Sequence, residues 1–274
     1  MAVTAEATRK DLFDLTGRVA LVTGAGQGLG RIFCETLAEF GAEIAVADIN
    51  EAGANETAAL VKGLGRRSIA VKADVCNPDD VDQMVEKTLA AFGTIDILVN
   101  NAGISAKAHK IADMPVEDWD RVMAVNLRGV FLCLRAVLPV MVKQERGSII
   151  NIASIKGIRP FHEIVQVDPK AHYSATKAGV ISLTKEAALE YAKDGIRVNC
   201  MCPGWHQGTG LGSWRDAPGE EAARKLYEET VNRATPLGRR GDPRELKGLL
   251  IYLASDASSF VTGHEFISDG GICV

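Results

Sequence analysis

The chain has no surplus of basic charge: 31 Lys and Arg against 35 Asp and Glu leave a formal net charge of -4. Proteins that grip nucleic acid or an anionic membrane electrostatically need a basic face, so neither partner is expected. Eighteen apolar residues never run together. The most apolar stretch, residues 130–142, is interrupted by Arg135 and Pro139, and no membrane span is expected. The opening MAVTAEATRKDLFDL lacks the apolar core of a secretion signal and reads as a flexible polar tail over residues 1–14, which points to a cytoplasmic protein. Six cysteines form no CxxC pair and show no zinc-like spacing with histidine, so no metal or redox role is assigned to them. Cys200 and Cys202 alternate on an expected strand, pointing to one face as small buried hydrophobes. Internal repeats, low-complexity tracts and linkers are also missing, so residues 15–274 read as a single domain.

What is present is a rhythm of short apolar runs and helix-length segments. VALVTG (19–24), IAVAD (44–48), IAVKAD (69–74) and IDILVNN (95–101) are brief and rich in Val and Ile, as strands buried on both faces of a parallel sheet require. SIINIAS (148–154), IRVNCMCP (196–203) and HEFISDGG (264–271) continue the series. Asn77-Pro78-Asp79-Asp80 and Asp242-Pro243-Arg244-Glu245 carry the cap, proline and acids of helix starts, the second with a capping box. Gly41 and Gly195 mark helix ends. Repeated strand–helix–strand units predict an α/β fold, a Rossmann-type doubly wound parallel sheet of seven strands with helices on both faces. Residues 204–219, GWHQGTGLGSWRDAPG, break the rhythm. Two of the three tryptophans, Trp205 and Trp214, fall in them, and a flap closing over a ligand is expected.

TGAGQGLG (23–30) joins the first strand to the first helix. Gly24, Gly28 and Gly30 let the backbone turn sharply and approach a pyrophosphate, which the helix N-terminus attracts. Asp48 ends the second strand, where its carboxylate can accept from the adenosine ribose hydroxyls and repel a 2′-phosphate. The glycine loop holds Gln27 where a phosphate-bearing cofactor would want a cation, so NAD is expected over NADP. Asp74 is placed to meet the adenine amino group. Asn100 and Asn101 are placed to tie strands together, and Gly103 to leave room for a ribose. Leu29, Ile49, Val75 and Ala102 flank these positions and complete the expected contact set.

AHYSATKAGV (171–180) sets Tyr173 four residues before Lys177, on one helix face. With TGxxxGxG at 23–30, NNAG at 100–103, Asn126 in MAVNLRG, Ser154 in IINIAS, RVNCMCPG at 197–204 and DGG at 269–271, the chain resembles the short-chain dehydrogenase/reductase family in its single-domain branch over residues 15–271. The resemblance implies oxidoreduction of a small-molecule alcohol or carbonyl with a nicotinamide cofactor, in a homotetramer joined by the long helices after the fourth and fifth strands. Ala175, Ala178, Gly179 and Ala187 would permit close approach there. It implies that Tyr173 is the acid/base and that Lys177 also binds the nicotinamide ribose. Ser154 would hold the substrate oxygen, and Asn126 would anchor a water linking Lys177 to solvent. Pro203 and Gly204 would back the nicotinamide ring. Tyrosine ordinarily titrates near ~10, and a neighbouring ammonium together with an oxidised nicotinamide should lower that value.

Two departures from the family pattern stand out. Ser154 and Tyr173 are separated by more than the usual spacing, so RPFHEIVQVDPKAH (159–172) carries an insertion bordering the substrate, with His162, Glu163 and His172 as candidate contacts. Where the family brings a threonine to the cofactor amide the chain has Gly208, with Thr209 one residue later. Ser105, Lys107, His162, His206 and Gln207 near the expected mouth suggest a polyol or sugar derivative with a secondary alcohol. A ketone reductase preferring NADPH and a cyclic or hydrophobic carbonyl is the alternative, and a nucleotide-sensing scaffold without catalysis is the non-enzymatic one.

Overall fold

Strands that are apolar on both faces can be buried only if helices cover both faces of their sheet. The computed structural model of the chain, which describes residues 11–209, 211 and 219–274, meets that demand. β1 (Val19–Thr23), β2 (Glu43–Asp48), β3 (Ser68–Lys72), β4 (Ile97–Asn100), β5 (Gly147–Ile152), β6 (Ile196–Pro203) and β7 (Glu265–Ser268) form one parallel sheet in the order 3-2-1-4-5-6-7. Side chains alternate between two cores. Leu21, Ala45, Leu98, Ile149, Val198, Cys200 and Cys202 face one, and Ala20, Val22, Ile44, Ile97, Val99, Ile150 and Met201 face the other. Cys200 and Cys202 do share a buried face.

The helices divide accordingly. α1 (Gly28–Glu39), α2 (Glu51–Gly63) and α9 (Lys247–Ala254) cover the second face through Phe33, Leu37, Ala58, Val61 and Leu250. The first is covered by α3 (Pro78–Phe92), α5 (Gly129–Gln144) and α7 (Ala171–Tyr191) through Met84, Val137, Met141 and Val180. Of the remaining helices, α4 (Val116–Met123) packs on α7, and α6 (His162–Val167) packs on α8 (Glu221–Ala234). α2 and α3 are capped by Asn50 and Asn77, whose side chains accept from Gly53 N and Asp79 N. The capping box at Asp242 is present, but it opens a 3-10 turn, Pro243–Leu246, that runs into α9.

Pro139 breaks the apolar run in sequence but not the helix, because α4, a π-turn at Ala124–Arg128 and α5 continue as one helix, Val116–Gln144. Pro139 is exposed, so water can serve the carbonyl whose helical bond it removes. By length and composition this helix is long and apolar enough to cross a membrane, yet it packs against the sheet through Val130, Leu134, Val137 and Met141. In the expected tail, Asp11–Phe13 form a 3-10 turn, while residues 1–10 lie outside the described residues.

β1 pairs with both β2 and β4, so the chain leaves β1 toward one edge of the sheet and later returns to its other side. The two connections diverge at the strand C-terminal ends and open a crevice there, the position where such sheets bind ligands.

Candidate active site

The crevice begins at the glycine loop between β1 and α1. Gly24 has φ +61°, and a Cβ there would stand 2.6 Å from Ala102 Cα; a Cβ on Gly30 would collide with the Gly24 carbonyl oxygen. Asn101 locks this packing by donating from Nδ2 to the carbonyls of Thr23 (3.0 Å) and Gly24 (2.9 Å), while Asn100 Nδ2 donates to Asn151 Oδ1 across β4 and β5 (2.8 Å). α1 differs from its successors. Its N-cap, Gln27, makes no side-chain cap bond and its first turn has no acid, whereas α2 and α3 are capped and carry Glu51, Asp79 and Asp80. The N–H groups and positive dipole end of α1 are thus left for an external anion, and a dinucleotide pyrophosphate fits that vacancy.

Asp48 bridges the loop and α2: Oδ2 accepts from Gly26 N and Oδ1 from Asn50 N, both at 2.8 Å. Together with Gly24, Gln27, Leu29, Ile49, Asp74, Val75, Asn101, Ala102 and Gly103 it lines a cavity of about 360 Å³. Gly28 (φ +54°) and Gly30 shape the loop without lining that cavity. A Cβ on Gly103 would lie 3.7 Å from Lys177 Nζ. A cation that sequence reading missed stands beside the loop: Arg31 donates to the Gly26 carbonyl (2.7 Å) and pairs with Glu56 (2.8 Å).

At the other end, β5 delivers Ser154 and α7 delivers Tyr173 and Lys177. Ser154 caps a 3-10 turn, Ile155–Gly157, with Oγ accepting from Lys156 N (3.2 Å). A side chain at Gly157 would strike the backbone of Lys177 and Ala178, with its Cβ 2.5 Å from the Lys177 carbonyl carbon. Glycine therefore lets the turn lie on α7, and Ser154, Tyr173 and Lys177 line the same cavity. Lys177 Nζ lies 5.5 Å from the Tyr173 ring centroid and donates to the Ile152 carbonyl at 2.6 Å. Asn126, buried in the π-turn, accepts from Ile104 N (2.8 Å) and donates to Ile104 O (2.9 Å) and Thr176 Oγ1 (3.3 Å), clamping the loop after β4 onto α7.

Burial controls the electrostatics. It pushes the Tyr173 phenol up to about 12, against the lowering effect of the Ser154 hydroxyl, and pushes Lys177 down to about 8. The depressed tyrosine expected from the helical spacing is therefore not a property of the protein alone. Adjacency supplies a cation, but both groups are almost wholly removed from water, and desolvation disfavours both charged forms.

The insertion folds as α6 followed by Asp168-Pro169-Lys170. His162 and Glu163 are exposed on α6, away from the cavity, and His172 is fully buried with no hydrogen-bond partner on either ring nitrogen. Lys156, Asp168 and Lys170 line the cavity instead, and His109 N donates to the Pro169 carbonyl (3.1 Å) to tie the insertion to the loop after β4. Of the expected mouth residues, Ser105 and His206 line the cavity, whereas Lys107 and Gln207 are exposed outside it. Pro203, Gly204, Trp205 and Thr209 line it too. Trp205 meets Phe161 edge-on at 5.4 Å. A Cβ on Gly28 would stand 3.4 Å from the Thr209 carbonyl, so this first part of the expected flap already overlies the glycine loop. Trp214, with residues 210 and 212–218, lies outside the described residues. Tyr227 of α8 and Arg240 also line the cavity and escaped sequence reading. Arg240 donates to the His206 carbonyl at 2.8 Å. No group of three or more His, Cys, Asp or Glu among the described residues could hold a metal.

Known proteins resemble this chain in sequence and fold. The family profile described as enoyl-(acyl carrier protein) reductase matches residues 24–273. A 3-oxoacyl-[acyl-carrier-protein] reductase from Synechocystis sp. is 39% identical over 94% of this chain and 98% of its own length. A short-chain type dehydrogenase/reductase from Mycobacterium marinum superposes with a TM-score of 0.85 at 38% identity, covering 96% of this chain and 98% of the other. A gluconate 5-dehydrogenase from Burkholderia cenocepacia, solved with NADP and tartrate, gives 0.87 at 36% identity over 97% and 99%.

Proposed function

Because the chain belongs to the short-chain dehydrogenase/reductase family, we propose that it interconverts a secondary alcohol and its ketone with a nicotinamide cofactor, using Tyr173 as acid/base. The observation that carries this reading is that Ser154, Tyr173 and Lys177 line one cavity, which continues to the uncapped end of α1.

The glycine loop and α1 would hold the pyrophosphate, Asp48 the adenosine ribose, and Lys177 the nicotinamide ribose. Bound there, the nicotinamide supplies the hydride acceptor in oxidation and the donor in reduction. Ser154 Oγ orients the substrate oxygen toward the phenol and shares the charge developing on it. During alcohol oxidation Tyr173 takes the hydroxyl proton, and during carbonyl reduction it returns one. Trp205, braced by Phe161, and Tyr227 line this part of the cavity and would screen the exchange from water.

A polyol or sugar derivative is the first substrate class, supported by the polar Ser105 and His206 in the cavity wall and by the likeness to a gluconate dehydrogenase. NAD is the first cofactor, supported by the Asp48 carboxylate at the ribose position. The alternative, an NADPH-dependent ketone reductase, draws on the reductase among the relatives, the NADP in the gluconate dehydrogenase, and Arg31 beside the loop. A homotetramer completes the proposal. On α7, Ala175 and Ala178 are exposed for it, whereas Ala187 is buried and a Cβ on Gly179 would lie 2.9 Å from Leu127 Cδ2, so those two serve the protomer.

Tyr173→Phe tests the mechanism. It should retain cofactor binding and the parent's fold but lose about 10²–10⁴ in turnover, followed by absorbance of the reduced cofactor. Near-parental turnover would remove Tyr173 from the chemistry.

A further inference from the structure

Residues 204–209 leave β6 and end over the glycine loop, where a Cβ on Gly28 would stand 3.4 Å from the Thr209 carbonyl oxygen and 3.6 Å from that of Gly208. Gly204, Trp205, His206 and Thr209 line the cavity along the way. The cofactor end of the cavity is thus bounded by the glycine loop and by this segment, and their spacing depends on what holds the segment.

Irregular backbone has no ladder of its own, so its anchors have to be found one by one. Gly204 N donates to the Ser268 carbonyl of β7 at 2.8 Å. The anchors that follow all come from residues 240 and 241. Gly241 N donates to the Trp205 carbonyl and Gln207 N to the Gly241 carbonyl, both at 2.9 Å, which makes a single parallel bridge between His206 and Gly241. Arg240 adds the bond from its guanidinium to the His206 carbonyl at 2.8 Å.

The side chain of His206 completes the stitch. His206 is 5% exposed, and burial holds its imidazole below the ordinary value, so the ring is neutral; Nδ1 lies 3.3 Å from the Gly204 carbonyl oxygen. The other edge of the ring rests on Gly241, where a Cβ would stand 2.6 Å from Cδ2 and 2.7 Å from Nε2. Gly241 has no positive φ, so its backbone would accept any residue and the ring alone demands glycine. Beyond Gly241 the chain is firmly held. Asp242 and Glu245 close the capping box, Arg239 grips Glu245 at 2.7 and 2.8 Å, and Leu246 is buried in the core under α1. The 3-10 turn they form packs on α1 itself. Through it, the segment over the glycine loop is held in register with the helix that the loop opens.

We propose that His206, Arg240 and Gly241 are positioning residues that fix residues 205–209 beside the glycine loop, so that the cofactor meets a preformed wall instead of ordering one on arrival. The inference rests on the oxidoreductase reading for its ligand, but the stitch can be measured without one. Gly241→Ala sets a methyl against the ring. In the cofactor-free protein, hydrogen exchange read by mass spectrometry should show the Gln207 amide protected in the parent and exchanging at least about tenfold faster in Gly241→Ala. Isothermal titration with NAD and NADP should show the tighter of the two losing about tenfold or more in affinity. Turnover at saturating cofactor should stay within about threefold, since Ser154, Tyr173 and Lys177 sit on other elements. His206→Ala makes room for the methyl, so in that background Gly241→Ala should reduce affinity by less than about threefold.

A glycine needed only for the fold would lower affinity equally with or without the ring. An equal loss in the His206→Ala background therefore overturns the stitch, as does an unprotected Gln207 amide in the parent or a cofactor affinity indifferent to Gly241→Ala. Should Gly241→Ala not fold, a folded double variant supports the contact and an unfolded one overturns it. A protected amide in a parent that binds neither dinucleotide removes the oxidoreductase reading, and the ligand with it, while leaving the stitch standing.

Discussion

Lys177 ordinarily titrates at 10.5 and is pushed to about 8 in the folded protein, so folding carries a penalty for its charged form. Between about pH 8 and 10.5 the unfolded chain binds the extra proton, and stability rises with pH across that window; below it the penalty is fully present. At about 1.4 kcal/mol per pKa unit the burden at neutral pH is on the order of 3 kcal/mol. Lys177→Met keeps the methylenes and removes the charge. It should therefore raise the thermal midpoint of the cofactor-free protein at pH 7 while abolishing turnover, and the advantage over the parent should shrink as pH approaches 10.5. Tyr173 works in the opposite sense. Its phenol is raised from 10.0 to about 12, so its contribution to stability is lost between those values. A variant midpoint at or below the parent's at pH 7 would mean that the Lys177 bond to the Ile152 carbonyl outweighs the burial. The pair was legible from its four-residue spacing only in company with the other motifs of the chain. The direction of its titration was not, because burial depends on what α7 packs against, and no local pattern records that.

Between elements, the contact that matters most is between the 3-10 turn after β5 and α7. With its Cβ 2.5 Å from backbone carbon, any side chain at Gly157 must displace the turn or the helix. Because Ser154 caps that turn, its hydroxyl would move relative to Tyr173. Gly157→Ala should therefore lower kcat by about 10- to 100-fold, as expected for a misplacement of about 1 Å, and destabilise the fold by about 1–3 kcal/mol. Cofactor-induced thermal stabilisation should persist, since the glycine loop is untouched, and full turnover with an unaltered midpoint would show that the turn yields freely. Strands were the most readable elements: their period-2 sides, as with Cys200 and Cys202, follow directly from alternation. That the helix runs on through Pro139 was not legible, because it depends on which side of the helix meets water. Lys156, Asp168 and Lys170 stayed hidden because residues 159–172 have no periodicity and their lining role arises only when α6 folds back toward Trp205. His162 and Glu163, chosen for their chemistry, face solvent for the same reason.

The site as a whole spans the reversal in strand order, drawing on β1 and β2 at one end and on β4, β5 and α7 at the other. A ligand bridging both ends would couple to global unfolding, since a dinucleotide held as proposed would contact both cores' strand termini and have nothing comparable to grip in the unfolded chain. Cofactor at 100 times its dissociation constant should add about 2.7 kcal/mol, or roughly 5–10 °C in thermal midpoint for a domain of this size. The same measurement discriminates the cofactors. A 2′-phosphate would arrive beside the Asp48 carboxylate, which is fixed by Gly26 N and Asn50 N and cannot swing away without uncapping both. NAD should therefore raise the midpoint more than NADP at equal concentration. Asp48→Ser removes the repulsion and frees the neighbourhood for Arg31, which would exchange Glu56 for the phosphate, so the order should reverse with a shift of about tenfold or more in the affinity ratio. If the parent already favours NADP, Arg31 rather than Asp48 governs the adenosine end, and the ketone reductase reading gains the ground that the dehydrogenase loses.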